Sequence, residues 1–426
     1  GRVMVQLWSP AFPPARAETP RLFGQPHRVV LRAAKGKESL EAIRRELNAR
    51  YDSNNRPAPE SVMQEPEWLR TTPLSSALPQ YVTGGYPFAA GELKEPAALR
   101  VEVAGVKVPV QSKPLAFWPD GSIKWAQLTF PIDPATAVEN CPAPRVTLRN
   151  GKAVPVTITQ GGKDAPPAVG APLEVVEREG AVRIRNGAME VEFGTGTEWL
   201  KRLAMNGVSL LSGSGATAFA NYRLDPEALF PIDLAARGGR EDRGLWSVER
   251  IAVEEAGPLR AIVRLEGLTT NEKPTRLIVR FELLAGRPEL RITHSAVFRF
   301  QDPRRTFLAG MGLAFPLGEA AVGTTAVSGV GEESAGSVRL VQVTPVHAVL
   351  EQRKGDGWSA AGETGRAHGW LQSRGSAFQT VAVVRNFWQQ APKGVSVRQE
   401  EGAVQMEFWP EAAGLMDVRR YSNWPH

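Results

Sequence analysis

Cysteine is almost missing from this chain: Cys141 is the only one in 426 residues. No intrachain disulfide can form and no thiolate cluster can hold zinc, so the redox compartment stays open. Asn140-Cys141-Pro142-Ala143-Pro144 reads as a connecting loop with nothing nearby to activate a thiol, which favours a plain loop cysteine over a catalytic one. Histidine is also scarce, with five residues: His27, His294, His347, His368 and His426. Neither a His-Glu-x-x-His pair nor an EF-hand loop is present, and no serine nucleophile elbow is found. Gly194-Thr195-Gly196 and Gly213-Ser214-Gly215 lack the strand-to-helix setting that phosphate binding needs. The paired carboxylates Glu254-Glu255, Glu332-Glu333 and Glu400-Glu401 are neighbours on strands or loops, and adjacent strand residues point to opposite faces. No metal ligand set and no cofactor are therefore expected, with a divalent cation left open. No apolar run reaches the length of a membrane span, so no membrane partner is expected. Gly1-Arg2-Val3-Met4 shows no charged-then-apolar leader, although a chain that begins at Gly is compatible with one already removed.

Charge of either sign is modest. Lys and Arg number 51 against 45 Asp and Glu, for a formal charge of +6. A diffuse positive field favours anionic partners. Nucleic acid is not expected, because there is no zinc-finger spacing, no helix-turn-helix pattern and no lysine stripe. An acidic polysaccharide such as a polyuronate suits a scattered basic surface.

What the chain does have is turn chemistry. Its 41 Gly and 34 Pro are dispersed among short apolar runs, the pattern of a strand-rich protein, and the length allows two or three domains. The expected fold class is mainly β: a small barrel, then a large antiparallel β-sandwich, with one short helix near the amino terminus. Residues 1–79 form an extension whose helix, at about 37–51, carries Leu40, Ile43 and Leu47 at helical spacing. Residues 80–165 are the barrel. Its centre is Trp118-Pro119-Asp120-Gly121-Ser122, a turn between strands Pro114–Trp118 and Ile123–Phe130. Asn150-Gly151 supplies a second hairpin, between Arg145–Leu148 and Val154–Thr159. Residues 172–420 are the sandwich, with strands expected at Leu173–Glu177, Ala181–Arg185, Met189–Phe193, Ser247–Ala252, Leu259–Glu266, Thr275–Leu283, Glu289–Arg299, Leu308–Phe315, Gln379–Val384 and Ala403–Phe408. Residues 421–426 read as the start of a linker.

Three places concentrate chemistry. In Arg291–Phe298, alternation puts His294 on the face of Ile292, Ala296 and Phe298, where a core-packed imidazole is favoured over a catalytic one. His368 stands beside Arg366 and Trp370, and Arg385-Asn386-Phe387-Trp388-Gln389-Gln390 follows an apolar strand. Rings stack on sugar faces while amides and guanidiniums bond to hydroxyls and carboxylates, so carbohydrate binding fits; aromatics capping the sandwich fit equally. The final run, Asp417 to His426, gathers Arg419, Tyr421 and His426, which either supply a base and a cation or begin a linker.

Gly85-Tyr86-Pro87-Phe88 with Gly91-Glu92-Leu93, Val108-Pro109-Val110-Gln111 and the Trp118–Trp125 hairpin resemble the exo-rhamnogalacturonan lyase (YetA-like) family, where an amino-terminal RIFT-type barrel carries such motifs. Asn206-Gly207, Ala256-Gly257-Pro258-Leu259-Arg260, Arg385–Gln390 and Asp417–Tyr421 are similar to that family's central β-sandwich. The resemblance covers roughly residues 80–426. The family's α/α toroid, which follows the sandwich, has no counterpart before His426, so a fragment lacking the catalytic toroid is one reading.

The resemblance implies a polysaccharide lyase acting by β-elimination at galacturonate in rhamnogalacturonan, a pectin component. Relatives that degrade polymers work outside the cytoplasm, which implies a periplasmic or extracellular place. Such chemistry needs a cation on the carboxylate, a base for the C5 proton and an acid for the leaving oxygen. The catalytic candidates are Tyr421, Arg419, His368 and His426, and the substrate-binding candidates are Arg385, Trp388, Gln389 and Trp370. A non-catalytic carbohydrate-binding or self-assembling structural β-protein is the alternative.

Overall fold

The computed structural model describes residues 2–8, 80–139, 141, 145–147, 153–161, 167–213, 215–224, 239–298, 306–319, 322–327, 330–334 and 336–417. The helix expected at 37–51 lies outside them. The helices among the described residues are three single 3-10 turns, Pro96–Ala98, Pro134–Thr136 and Glu411–Ala413, and the rest of the regular structure is strand. The protein is thus mainly β, built as a barrel followed by a sandwich.

The barrel comprises two small sheets. Gln80–Pro87 pairs with Ile123–Ile132, which pairs with Gln111–Phe117. Leu99–Val103 pairs with Val106–Val108 and Ala153–Gln160, and the latter with Arg145–Thr147. Alternate residues Leu99, Val101 and Val103 meet Ala126, Leu128, Phe130 and Val154 in one core. Cys141 is buried. The Trp118–Ser122 turn closes as its residue types require. Gly121 has φ 82°, Trp118 N donates to Ser122 O at 2.8 Å, and Asp120 Oδ1 accepts from Ser122 N at 2.9 Å. Hydrogen bonds to this fully exposed carboxylate hold it below its ordinary range. Ser122 Oγ accepts from Gly91 N, Trp118 Nε1 donates to Phe88 O and Ile123 N donates to Leu93 O. Motifs far apart in sequence are therefore laced into one corner.

The sandwich has two layers joined by one bent strand. Arg240–Ala256 pairs through its first six residues with Thr217–Leu224 in one layer and through Trp246–Ala256 with Arg260–Thr269 in the other. The first layer continues through Thr306–Pro316, Ala403–Trp409, Lys393–Arg398, Val338–Thr344, His347–Lys354 and Gly357–Thr364. The second runs through Arg276–Leu284 and Glu289–Val297, then Arg2–Trp8, Gln379–Val384, Trp370–Arg374 and Thr324–Val327. Arg2–Trp8 is parallel to both its neighbours; the other described pairings are antiparallel. A separate five-stranded sheet, from Leu173–Arg178 to Val208–Ser209, packs on the same core.

Alternation predicts the inner faces well: Leu277, Val279, Phe281 and Leu283 are all buried. At the centre Trp199 meets Trp246, Phe281 and Phe315 at ring-centroid distances of 5.0 to 6.1 Å. Burying each such ring contributes about 1.5–3 kcal/mol. Some strands absent from the sequence reading lack a clean alternation. Gly357–Thr364, for example, is a mostly exposed edge of small and polar residues, ordered by pairing with His347–Lys354.

Barrel and sandwich are joined by Gln111. Its Oε1 accepts from Leu259 N at 2.9 Å and Arg260 N at 2.8 Å, and its Nε2 donates to Arg260 O at 3.0 Å and Glu255 Oε1 at 2.5 Å. Gly257 makes room: a Cβ there would lie 2.0 Å from Gln111 Cδ. Arg260 also pairs with Glu255 and Glu282, each at 2.9 Å. Nearby, Tyr81 OH donates to Ala285 O across the same boundary.

Gln111→Ala is expected to lower stability by about 2–4 kcal/mol, because four bonds vanish and two backbone N–H groups lose their acceptor. Gly257→Ala should cost a similar amount in the wild type and little in the Gln111→Ala background, since both break one joint. Urea unfolding of the two single variants and the double variant measures this; additive costs would contradict it.

Candidate functional site

At one end of the sandwich two loops meet. One, Gly365–Gly369, links Gly357–Thr364 to Trp370–Arg374 and so crosses between the layers; the other, Arg385–Pro392, crosses back from Gln379–Val384 to Lys393–Arg398. Gln342, fully buried, pins the first loop: its Oε1 accepts from Ala367 N at 2.9 Å and its Nε2 donates to Thr344 O at 2.7 Å and Gly365 O at 3.0 Å. The second loop turns on Asn386, at φ 54°, with Gln390 N donating to Asn386 O at 2.9 Å. The two are clamped where Gly369 O accepts from Val384 N at 2.8 Å. Gly369 has φ +69°, and a Cβ there would sit 2.4 Å from Phe387 Cβ, so only glycine lets Phe387 drop into the core.

This clamp brings together sequence candidates that lie up to 21 positions apart, from His368 to Gln389. His368, Arg385 and Gln389 are exposed, and Trp370 and Trp388 are half-buried. The Arg366 guanidinium lies over the Trp388 ring, 4.4 Å from its centroid. That flat cation-on-indole surface is pre-organised for a planar or ring-shaped ligand. Trp370 opens its strand opposite Val383, with Leu371 turned into the core. Arg419, Tyr421 and His426 lie outside the described residues. Met416, just before them, packs in the small cluster with Tyr222, Trp409 and Phe408 at this end of the sandwich.

Beneath the loops, beside the expected core imidazole of His294, is a group that sequence reasoning did not single out. Lys393 opens its strand in register with Gln342 and shares the inward face of Val395 and Val397. It is 9% exposed. His294, on the facing layer, is buried, as its shared face with Ile292 implied. Its ring stacks on Phe408 at 4.3 Å, and Lys393 Nζ lies 5.5 Å from the same ring centroid. Nε2 of His294 is buried with no hydrogen-bond partner among the described residues.

Burial, with the Lys393 charge adding to it, drives the imidazole down to about 3, so His294 is neutral at ordinary pH. Burial alone lowers Lys393 to about 8, and no carboxylate offsets it. Keeping that amine charged costs roughly 3 kcal/mol relative to water. The signal was present in the sequence: a lysine in phase with Val395 and Val397, with no acidic residue near it in the chain.

Glu407 occupies the opposite, outward face of the same sheet, in register with Gly394 on one side and Gly312 on the other. Alternation with Met406 and Phe408 marks it as solvent-facing, yet it is 8% exposed. Burial raises it to about 7, against opposing pulls from Arg339 and Arg398. Arg339 itself pairs with Glu351 and lies 4.6 Å from the Trp358 ring centroid. Among the described residues, no group of three or more His, Cys, Asp or Glu is placed to hold a metal ion.

Comparison with known proteins bears out this two-part architecture. A family model described as the PcRGLX-like N-terminal RIFT barrel domain matches residues 64–141. Another, the PcRGLX-like protein central beta sandwich domain, matches residues 173–321 and 334–426, more than half of the chain. The chain belongs to the PcRGLX-like family. It is also 26% identical over 262 residues to a Bacillus subtilis (strain 168) protein named uncharacterized protein YetA. That match spans 60% of this chain and 27% of the relative's length. Both loops, Gly365–Gly369 and Arg385–Pro392, which form the mouth at this end of the sandwich, fall within the central-sandwich match of this PcRGLX-like chain.

Glu407 gives a pH test. In the unfolded chain it ionises near 4.5 and in the folded protein near 7, so its contribution to stability is complete below 4.5 and is lost as pH rises through 7. Glu407→Gln should therefore gain stability relative to wild type between those values, measured by urea unfolding at both ends of the range. A gap that does not change with pH would contradict the burial of this carboxyl.

Proposed function

We propose that this PcRGLX-like chain is carbohydrate-active and acts on an acidic polysaccharide, in the manner of a rhamnogalacturonan lyase. The observation that carries the reading is the Arg366–Trp388 stack, set among exposed His368, Arg385 and Gln389 on two loops that Gly369 and Phe387 clamp together. An indole carrying a guanidinium offers a sugar ring an apolar face and hydrogen-bond donors at one place. Arg366 and Arg385 add positive charge at the rim, which draws in an acidic polymer.

For β-elimination the site must neutralise a carboxylate, remove the C5 proton and protonate the leaving oxygen. His368 is exposed at the rim, where an imidazole ring can give or take a proton. Arg385 and Gln389 are the groups for the sugar's oxygen atoms. On side-chain chemistry, Arg419 or Arg385, Tyr421, and His368 or His426 stay proposed for these three roles. The resemblance to polymer-degrading relatives further supports a periplasmic or extracellular place of action on pectin.

Incubation with rhamnogalacturonan I oligosaccharides, followed by ultraviolet absorbance of the unsaturated uronate, tests the activity. Trp388→Ala should reduce the rate at sub-saturating substrate by about tenfold or more, the loss of about 1.4 kcal/mol of ring contact. Binding without product would replace the lyase reading by a carbohydrate-binding scaffold, and a Trp388→Ala variant indistinguishable from wild type would remove the mouth as the site.

A further inference from the structure

Lys393 is anomalous. Lysine is rarely buried without a partner. Here the ammonium carries no ion pair among the described residues and faces the interior together with Val395 and Val397. On the facing layer the imidazole of His294 has a buried Nε2, and Gln390, three residues before Lys393, a buried Oε1, neither with a hydrogen-bond partner among the described residues. A buried ammonium with no ion pair and two buried polar atoms with no hydrogen-bond partner among the described residues are what a polar ligand would satisfy.

Position favours access from the mouth. Lys393 directly follows the Arg385–Pro392 loop and lies in register with Gln342, the residue that pins the other loop. The amine thus sits where the loop that carries Trp388 enters the sheet. Phe408 forms an apolar wall common to both side chains.

We propose that Lys393 and His294 form an anion seat that receives the carboxylate of a uronic acid residue, making Lys393 the determinant of acidic over neutral sugars. This rests on the carbohydrate reading of the loops above it. The ammonium supplies the counter-charge, and His294, in the tautomer with hydrogen on Nε2, donates a second bond to the carboxylate. Gln390 Oε1 accepts from a neighbouring sugar hydroxyl. No bond is made or broken; the seat positions the acid and withdraws charge from it.

Calorimetry of the whole chain with rhamnogalacturonan I oligosaccharides and with their carboxyl-reduced counterparts tests the seat. Wild type should prefer the acidic form by about tenfold or more. Lys393→Met should bind both forms alike while its thermal midpoint holds or rises, since an apolar chain of similar length replaces a buried charge. A preference that survives in Lys393→Met, or none in wild type, overturns the seat while leaving glycan binding intact. Binding of neither form by wild type defeats the carbohydrate reading. In that event sodium galacturonate, with sodium acetate and galactose as controls, is expected to protect Lys393 from acylation by an amine-reactive ester, scored by mass spectrometry. Protection by galacturonate alone identifies a sugar acid, protection by acetate as well identifies a general carboxylate seat, and no protection overturns the proposal.

Discussion

The approach of Gly369 to Phe387 is the constraint on which the site depends. Phe387 is almost fully buried, which fixes the base of the Arg385–Pro392 loop, and the space it needs exists because position 369 lacks a side chain. From that contact follow the placing of Arg366 over Trp388 and the exposure of His368 beside Arg385. The loops cross between layers at one end of the sandwich, where backbone that leaves a sheet must find new hydrogen-bond partners. Gln342 and Val384 meet that need. Rigidity in such connections is what a ligand surface on loops requires.

A second constraint, on a larger scale, is the Gln111 joint. One side chain satisfies both N–H groups and one carbonyl of the Leu259–Arg260 turn, so barrel and sandwich are held in one arrangement. Much of the sequence resemblance lies in such places. Val108–Gln111 and Ala256–Arg260, far apart in the chain, are the two halves of this joint, and Gly91, Phe88 and Leu93 are hydrogen-bonded to the Trp118–Ile123 turn. These motifs carry the architecture, whereas Arg385–Gln390 is the motif that reaches the mouth.

How far the chain can be read without coordinates depends on whether a residue's partners are local. Arg276–Leu284 shows its buried face directly, because every second residue is apolar, and the Trp118–Ser122 turn declares itself through Pro119 and Gly121. Thr217–Leu224 and Gly357–Thr364 give a weaker signal; the first has alanines at two of its four inward positions and the second has hardly any buried face. Arg2–Trp8 is placed by parallel pairing with strands nearly 300 and 380 positions away, which no local pattern contains. In the site, His368, Trp370, Arg385, Trp388 and Gln389 were visible as residue types, while their meeting depends on a glycine and a phenylalanine that look ordinary in sequence. Lys393 was marked in the sequence only by its phase with Val395 and Val397 behind a polar loop, whereas Glu407 has the spacing of a solvent-facing strand residue, so only the depth of the surrounding structure marks it as costly.

The most direct measurement of the central claim, that this mouth is where the protein meets its ligand, is a crystal structure of the whole chain soaked with a rhamnogalacturonan I oligosaccharide. The account predicts a sugar ring against the Arg366–Trp388 stack with density continuing toward Lys393. Well-ordered sugar bound elsewhere, for instance on the exposed Phe117 and Trp125 of the barrel, with the mouth empty, would contradict it.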